Sequence, residues 1–205
     1  MVLLGGLKKG LVFILSAPAG TGKTTLVDML KVEFPSVVTS ISSTTRKPRQ
    51  GEVNGVHYNF ISVEEFELKI ASGEFLEHVR LYDDYYGTSL AQVQAQLEQR
   101  KHVFLVIDTQ GAMQLKKKSK AVYIFVQPPS LEALQERLEK RKTEDPETIK
   151  KRLKWAENEI QAGKYYDYQI VNDDLKVAYQ ILRSIVIAEE HRVINLLNNG
   201  VYNGF

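Results

Sequence analysis

The sequence predicts an α/β fold, a doubly wound parallel sheet. Two observations carry that expectation. Short apolar runs recur at residues 11–15, 37–41, 103–107, 122–126 and 169–171. They do not alternate with polar residues, as expected of strands buried on both faces. Patterns with helical spacing lie between most of them, and strands alternating with helices build a sheet covered on both sides. The 205 residues suffice for one such domain, or one core with insertions.

The first run leads into Ala17-Pro18-Ala19-Gly20-Thr21-Gly22-Lys23-Thr24-Thr25, then Leu26, Met29 and Leu30 at helical spacing. Strand, glycine-containing loop, Lys-Thr and helix form the phosphate-cradling arrangement of P-loop nucleotide enzymes. Backbone N–H groups of the loop and helix start converge on an anion, helped by the helix dipole. Residues 17–25 are therefore expected to hold nucleotide phosphates, which the family resemblance drawn below assigns to ATP. Lys23 would reach the outer phosphates, and the Thr24 hydroxyl would take a place on Mg2+. Ala17 stands where the pattern usually has glycine. An alanine forced to positive φ costs about 1–2 kcal/mol; at negative φ it costs little. The alternative for the stretch is an ordinary glycine turn.

The remaining elements follow in order. Tyr58-Asn59-Phe60-Ile61 reads as a short strand. Ser62-Val63-Glu64-Glu65 is a capping-box pattern, with Phe66 and Ile70 as one apolar face before Gly73. Ser130 can cap a helix carrying Leu131, Leu134 and Leu138. Asp145-Pro146 reads as N-cap plus proline at the first helical position, followed by Ile149, Leu153, Ala156 and Ile160. Leu175, Ala178, Leu182, Ile185, Ile194 and Leu197 predict a C-terminal helix on the sheet with a core-building role only. Residues 198–205 read as frayed. Two segments break the alternation: 42–91, with arginine-bearing loops, and 134–154, rich in Arg and Lys.

Composition narrows the function classes. The net charge of +2 is too mild to argue for nucleic acid. The run Lys116-Lys117-Lys118 with Lys120 reads as a solvated helix end. There is no cysteine, hence no disulfide or thiol chemistry, which fits the cytoplasm. No apolar run approaches the roughly 18 residues of a membrane span. Lys8-Lys9, the run at 11–15 and Ala17-Pro18-Ala19 imitate a signal peptide, but the apolar part is too short and cleavage would cut the phosphate loop.

A second site is readable downstream. Arg46 and Arg49 lie three apart around Pro48, which disfavours helix. Two forked guanidiniums in one loop suit a phosphate, although a solvated basic turn is an equal alternative. Tyr58 and Tyr86 could add phenol hydroxyls. Glu77 could accept two hydrogen bonds from the N1–H and 2-amino edge of guanine, a pattern adenine lacks. Taken alone, Glu77 also reads as an exposed acid at a helix end, and His78 as a rim residue. The run 103–107 ends in Asp108, a Walker B pattern that brings a carboxylate close to Mg2+.

With these motifs the chain resembles the guanylate kinase family, from about residue 10 to 192. The motifs, in order, are Gly20-Thr21-Gly22-Lys23-Thr24, Ser43-Thr44-Thr45-Arg46-Lys47-Pro48-Arg49, Gly51-Glu52, Tyr58-Asn59-Phe60, Phe75-Leu76-Glu77, Tyr85-Tyr86-Gly87, Ile107-Asp108-Thr109-Gln110-Gly111, Pro128-Pro129-Ser130, Arg137-Leu138 and Val171-Asn172-Asp173. The resemblance implies a P-loop core (1–41, 92–133 and 155–205), a GMP-binding insertion (42–91) and a short helical lid (134–154). It implies transfer of the γ-phosphoryl of ATP to GMP, with dGMP also accepted, in the presence of Mg2+. It gives Arg46, Arg49, Tyr58 and Tyr86 to the GMP phosphate, and Glu77 and Thr88 to the guanine edge with Ser42 nearby. Asp108 would sit by the substrate and reach the metal through water. Arg137, Arg141 and Arg152 match lid and transfer-site arginines, and Asn172 a residue beside the nucleotide. Three positions depart from the family pattern: Ala17, Val106 in place of an acid, and Lys142 in place of the lid glycine. A protein-binding scaffold module, a sugar-phosphate kinase and another nucleoside monophosphate kinase are the competing readings.

Overall fold

The computed structural model describes residues 3–81, 83–116, 118–140 and 145–198. Lys117, Arg141, Lys142, Thr143 and the tail after Asn198 lie outside these, as does the side chain of Leu197. In chain order the strands are β1 (Val12–Ser16), β2 (Val37–Thr39), β3 (Ser43–Thr44), β4 (Asn59–Phe60), β5 (Phe75–Leu81), β6 (Asp84–Ser89), β7 (His102–Val106), β8 (Val122–Gln127) and β9 (Tyr168–Val171). The helices are α1 (Lys23–Glu33), α2 (Val63–Ala71), α3 (Leu90–Glu98), α4 (Thr109–Lys116), α5 (Leu131–Lys140), α6 (Pro146–Ala162), α7 (Leu175–Glu190) and α8 (Val193–Asn198).

The five apolar runs form one parallel sheet in the order β2-β7-β1-β8-β9. Successive side chains of a strand point to opposite faces, and both faces here are covered. Phe13 and Leu15 pack with Leu26, Val27 and Leu30 of α1 and with Ala178, Leu182 and Val186 of α7. Ile14 packs on the other side, with Val93 and Leu97 of α3 and Ala112 and Leu115 of α4. Two-sided burial explains why the runs lack alternation. Each fully buried Leu or Phe contributes about 1.5–3 kcal/mol, and Leu26→Ala would cost about 2–5 kcal/mol.

β2 stops at Thr39, two residues short of the expected run, because the chain then crosses into a second sheet. That sheet has the order β4-β3-β6-β5 and is mixed: β3 pairs parallel with β4, and β6 antiparallel with β3 and β5. Its strands come from 43–89, the segment that broke the alternation.

The expected caps are present. Ser62 Oγ accepts from the Glu65 N–H (3.1 Å), Ser130 Oγ from Ala133 (3.1 Å) and Asp145 Oδ1 from Thr148 (3.0 Å). Such caps satisfy N–H groups that a helix start leaves without partners.

The C-terminal stretch differs from its expectation. It forms two helices, α7 and α8, and Leu175 (39 % exposed) and Ile194 (52 %) lie on the surface. It also carries a buried polar knot. The Glu190 carboxylate accepts from the Gly5 and Gly6 N–H groups (2.8 and 2.7 Å) and meets His102 Nε2 at 2.5 Å. His102 Nδ1 accepts from the Leu11 N–H, so Nε2 carries the proton. Lys116 departs too from a purely solvated end. It ion-pairs with Asp167 at 3.2 Å and lies over the Tyr123 ring. Among the described residues no helix is long and apolar enough to cross a membrane.

Candidate active site

Ligands of open α/β sheets bind beyond the carboxyl ends of the strands. Here a cleft of about 390 Å³ lies beyond the ends of β1 and β7, between the two sheets. Its floor is the phosphate loop. α1 begins on Gly22, at φ 95°, with no side-chain cap, unlike α2, α5 and α6. Its first N–H groups are therefore left for an anion, and the helix dipole favours that charge. A side chain at Gly22 would also meet Asn172 Nδ2 at 2.8 Å. Lys23 Nζ folds back over the loop, donating to the carbonyls of Ala17 (2.6 Å) and Pro18 (3.4 Å). Ala17 is buried and is not among the residues at positive φ, so replacing glycine there strains nothing.

One wall is the second sheet. Glu77, Val79 and Leu81 alternate along β5 and all face the cleft. Glu77 is 4 % exposed and sits on a strand, which removes the reading as an exposed helix-end acid. Thr88, opposite it on β6, donates to Oε1 at 2.5 Å. Gly111 leaves room for the other oxygen: a Cβ there would approach Glu77 Oε2 to 2.6 Å. Burial pushes the Glu77 carboxyl up to about 7; the nearby Asp108 charge adds to the rise, and the hydrogen bonds from Thr88 oppose it. At the outer end Arg46 is held by both oxygens of Glu52 (2.8 and 3.0 Å) and lies over the Tyr58 and Phe60 rings. The basic turn is thus organised, with Arg46, Arg49, Tyr58, Tyr86 and Ser42 on one cleft.

Asp108 joins floor and wall. Its Oδ1 caps α4 by accepting from the Gly111 N–H (2.8 Å). Its Oδ2 is buried and has no hydrogen-bond partner. Burial raises its pKa, against the Gly111 hydrogen bond and the charge of Lys23.

The other wall is α6, which presents Arg152, Trp155 and Glu159. Only Arg152 was expected. Glu159 is 6 % exposed. Its pKa is raised by burial and by Asp108, and pulled down by Lys23 and Arg152.

Of the expected residues, Ala17, Ala19, Gly20, Gly22, Lys23, Thr24 and Thr25 line the floor, while Pro18 and Thr21 do not. Thr21 braces the loop from within through its bond to the Pro18 carbonyl (2.8 Å). Asn172 braces it from behind, donating to the Thr21 carbonyl (2.7 Å). Thr88 lies behind Glu77 and is fully buried. Arg137, in the last turn of α5, is not among the lining residues. Arg141 lies outside the described residues.

A family model described as guanylate kinase matches residues 9–189. This chain belongs to the guanylate kinase family. It is 61 % identical over 193 residues to a guanylate kinase of Protochlamydia amoebophila, covering 94 % of this chain and 98 % of that one. It is 52 % identical to one of Chlamydia trachomatis serovar D, covering 88 % and 89 %. The crystal structure of guanylate kinase from Anaplasma phagocytophilum superposes with a TM-score of 0.75 at 32 % identity, covering 91 % and 89 %. Val106, expected to depart from the family pattern, lines the cleft.

Proposed function

We propose that the cleft transfers the γ-phosphoryl group of ATP to GMP, giving ADP and GDP. Family membership carries the reaction. One structural observation supports it most: an uncapped helix start with Lys23 shares a cleft with a buried carboxylate, Glu77, and an arginine pair.

The loop 17–25 binds the donor phosphates through its N–H groups, and Lys23 neutralises charge on the transferred group. Arg46, Arg49, Tyr58 and Tyr86 hold the GMP phosphate. Glu77, held in orientation by Thr88, accepts from the guanine edge. Arg152, on the cleft, is given the charge of the transferred group, the family resemblance adds Arg137 and Arg141 to that role, and Asn172 keeps the loop in shape. In this account 42–91 is the GMP-binding insertion and 134–154 the lid, whose closure dries the site and suppresses hydrolysis of ATP.

Magnesium fits this cleft. Asp108 Oδ2 is a buried, hard oxygen donor without a partner, and the Thr24 hydroxyl lines the same space. Thr24 would hold the ion directly and Asp108 through water, together with the nucleotide phosphates. When bound, Mg2+ supplies charge neutralisation between the phosphates. The reading extends to dGMP as acceptor and to a cytoplasmic enzyme. The intact Gly22-Lys23-Thr24 argues against a purely protein-binding scaffold.

The test is ADP formation from ATP and Mg2+ with GMP, dGMP, AMP, CMP and UMP in parallel. Turnover is expected with GMP and dGMP, and at most about a hundredth of it with the others. Comparable rates with AMP would overturn the guanine reading.

A further inference from the structure

Arg152, Trp155 and Glu159 lie at i, i+3 and i+7 on α6, one stripe of the helix, and all three line the cleft. The neighbouring face of α6 is committed to packing: Ile149 and Ala156, each within three or four positions of Arg152 or Glu159, join Leu134 and Leu138 of α5 in a separate small core. α6 thus packs on α5 with one stripe and lines the cleft with the next. Glu159 sits near its loop end, buried at 6 % exposure, and shares the cleft with Lys23 and Asp108.

A carboxylate here needs a reason. Burying a charge is unfavourable unless it is paired. Its sign also matches the phosphates this cleft receives, so it does not serve as a phosphate ligand. The cations that share the cleft with it are Lys23, on the floor, and Arg152, two turns away on its own helix. Both are cations that phosphoryl transfer needs in fixed places. A glutamine would fill the same volume without holding either.

We propose that Glu159 is a positioning residue. Its carboxylate ties α6 to the phosphate loop through Lys23 and so sets where the Arg152 guanidinium stands. This rests on the phosphoryl-transfer reading above. The GMP wall is on the other side of the cleft, so the effect belongs on kcat and not on GMP binding.

The experiment is a double-mutant cycle in steady-state kinetics with wild type, E159Q, R152A and E159Q/R152A, and with E159D beside them. E159Q should lower kcat at least about tenfold while KM for GMP stays within about threefold. The double variant should fall no more than about threefold below R152A, because the lost positioning has nothing left to position. E159D, which keeps the charge, should recover part of kcat. A merely structural role would shift the thermal midpoint and leave the two losses multiplying. Losses that multiply, or an E159Q kcat within about twofold of wild type, overturn the proposal. Should E159Q fail to fold, E159D with R152A reads the same coupling. A wild type without GMP-dependent ADP formation sinks the reaction itself; an active wild type with an unaffected E159Q sinks only the role of Glu159.

Discussion

In the proposed reading the phosphate loop and the second sheet both build a place for a phosphate, and they do it with different materials. The loop uses backbone. Its donors are N–H groups set by two glycines at positive φ and by an uncapped helix start. Side chains behind it, Thr21 and Asn172, only keep its shape. The second sheet uses side chains, drawn from positions 42 to 88 and aligned by strand register. Each is held by a neighbour: Arg46 by Glu52, Glu77 by Thr88. A backbone site tolerates a change of residue that keeps φ and ψ. A side-chain site fails when one residue changes, and fails selectively.

The predictions press on that contrast, from the largest effect downward. Lys23→Ala removes the loop side chain to which the proposed mechanism gives the transferred charge. Its kcat should fall at least about a hundredfold with the fold intact, checked by turnover and circular dichroism. Arg46→Ala should raise KM for GMP at least about tenfold and leave KM for ATP within about twofold. Equal effects on both would make the arginine a general structural support.

Glu77→Gln should narrow the preference for GMP over AMP by at least about tenfold, since the amide offers a donor to the guanine edge. The same variant has a second readout. The folded carboxyl titrates near 7 against an ordinary 4.5, so the folded state holds this proton more tightly. The resulting stability, on the order of 3 kcal/mol, is complete below about pH 4.5 and lost as pH rises through 7. Without ligands, Glu77→Gln should therefore raise the thermal midpoint at pH 8 and leave it nearly unchanged at pH 4. A lower midpoint at pH 8 would mean the charge stabilises the empty protein. Ala17→Gly, at the bottom of the scale, should leave kcat within about twofold and cost about 1 kcal/mol or less through chain entropy.

The same contrast explains what could be read from sequence. The loop is contiguous, so its residues and their order disclose it. The five core strands are disclosed because burial on two faces leaves apolar runs. Glu77 is different: its neighbours Thr88 and Gly111 are distant in sequence, and only the resemblance to a family separated it from a surface acid. Glu159 and Trp155 left no signal in a search for apolar periodicity. They share α6 with Ile149, Leu153 and Ala156 but lie on the adjoining stripe, which lines the cleft. The available clue was the seven-residue spacing from Arg152 to Glu159, which places two opposite charges on one stripe. The pair of His102 and Glu190 lies 88 positions apart, and no local pattern announces it.

The division of labour between floor and wall is tested most directly by titrating GMP calorimetrically into Lys23→Ala, beside wild type and Arg46→Ala. If the acceptor wall is built from its own side chains, Lys23→Ala binds GMP within about threefold of wild type while Arg46→Ala loses at least about tenfold. If Lys23→Ala loses GMP as badly as Arg46→Ala does, the two sites are not separable and the account fails.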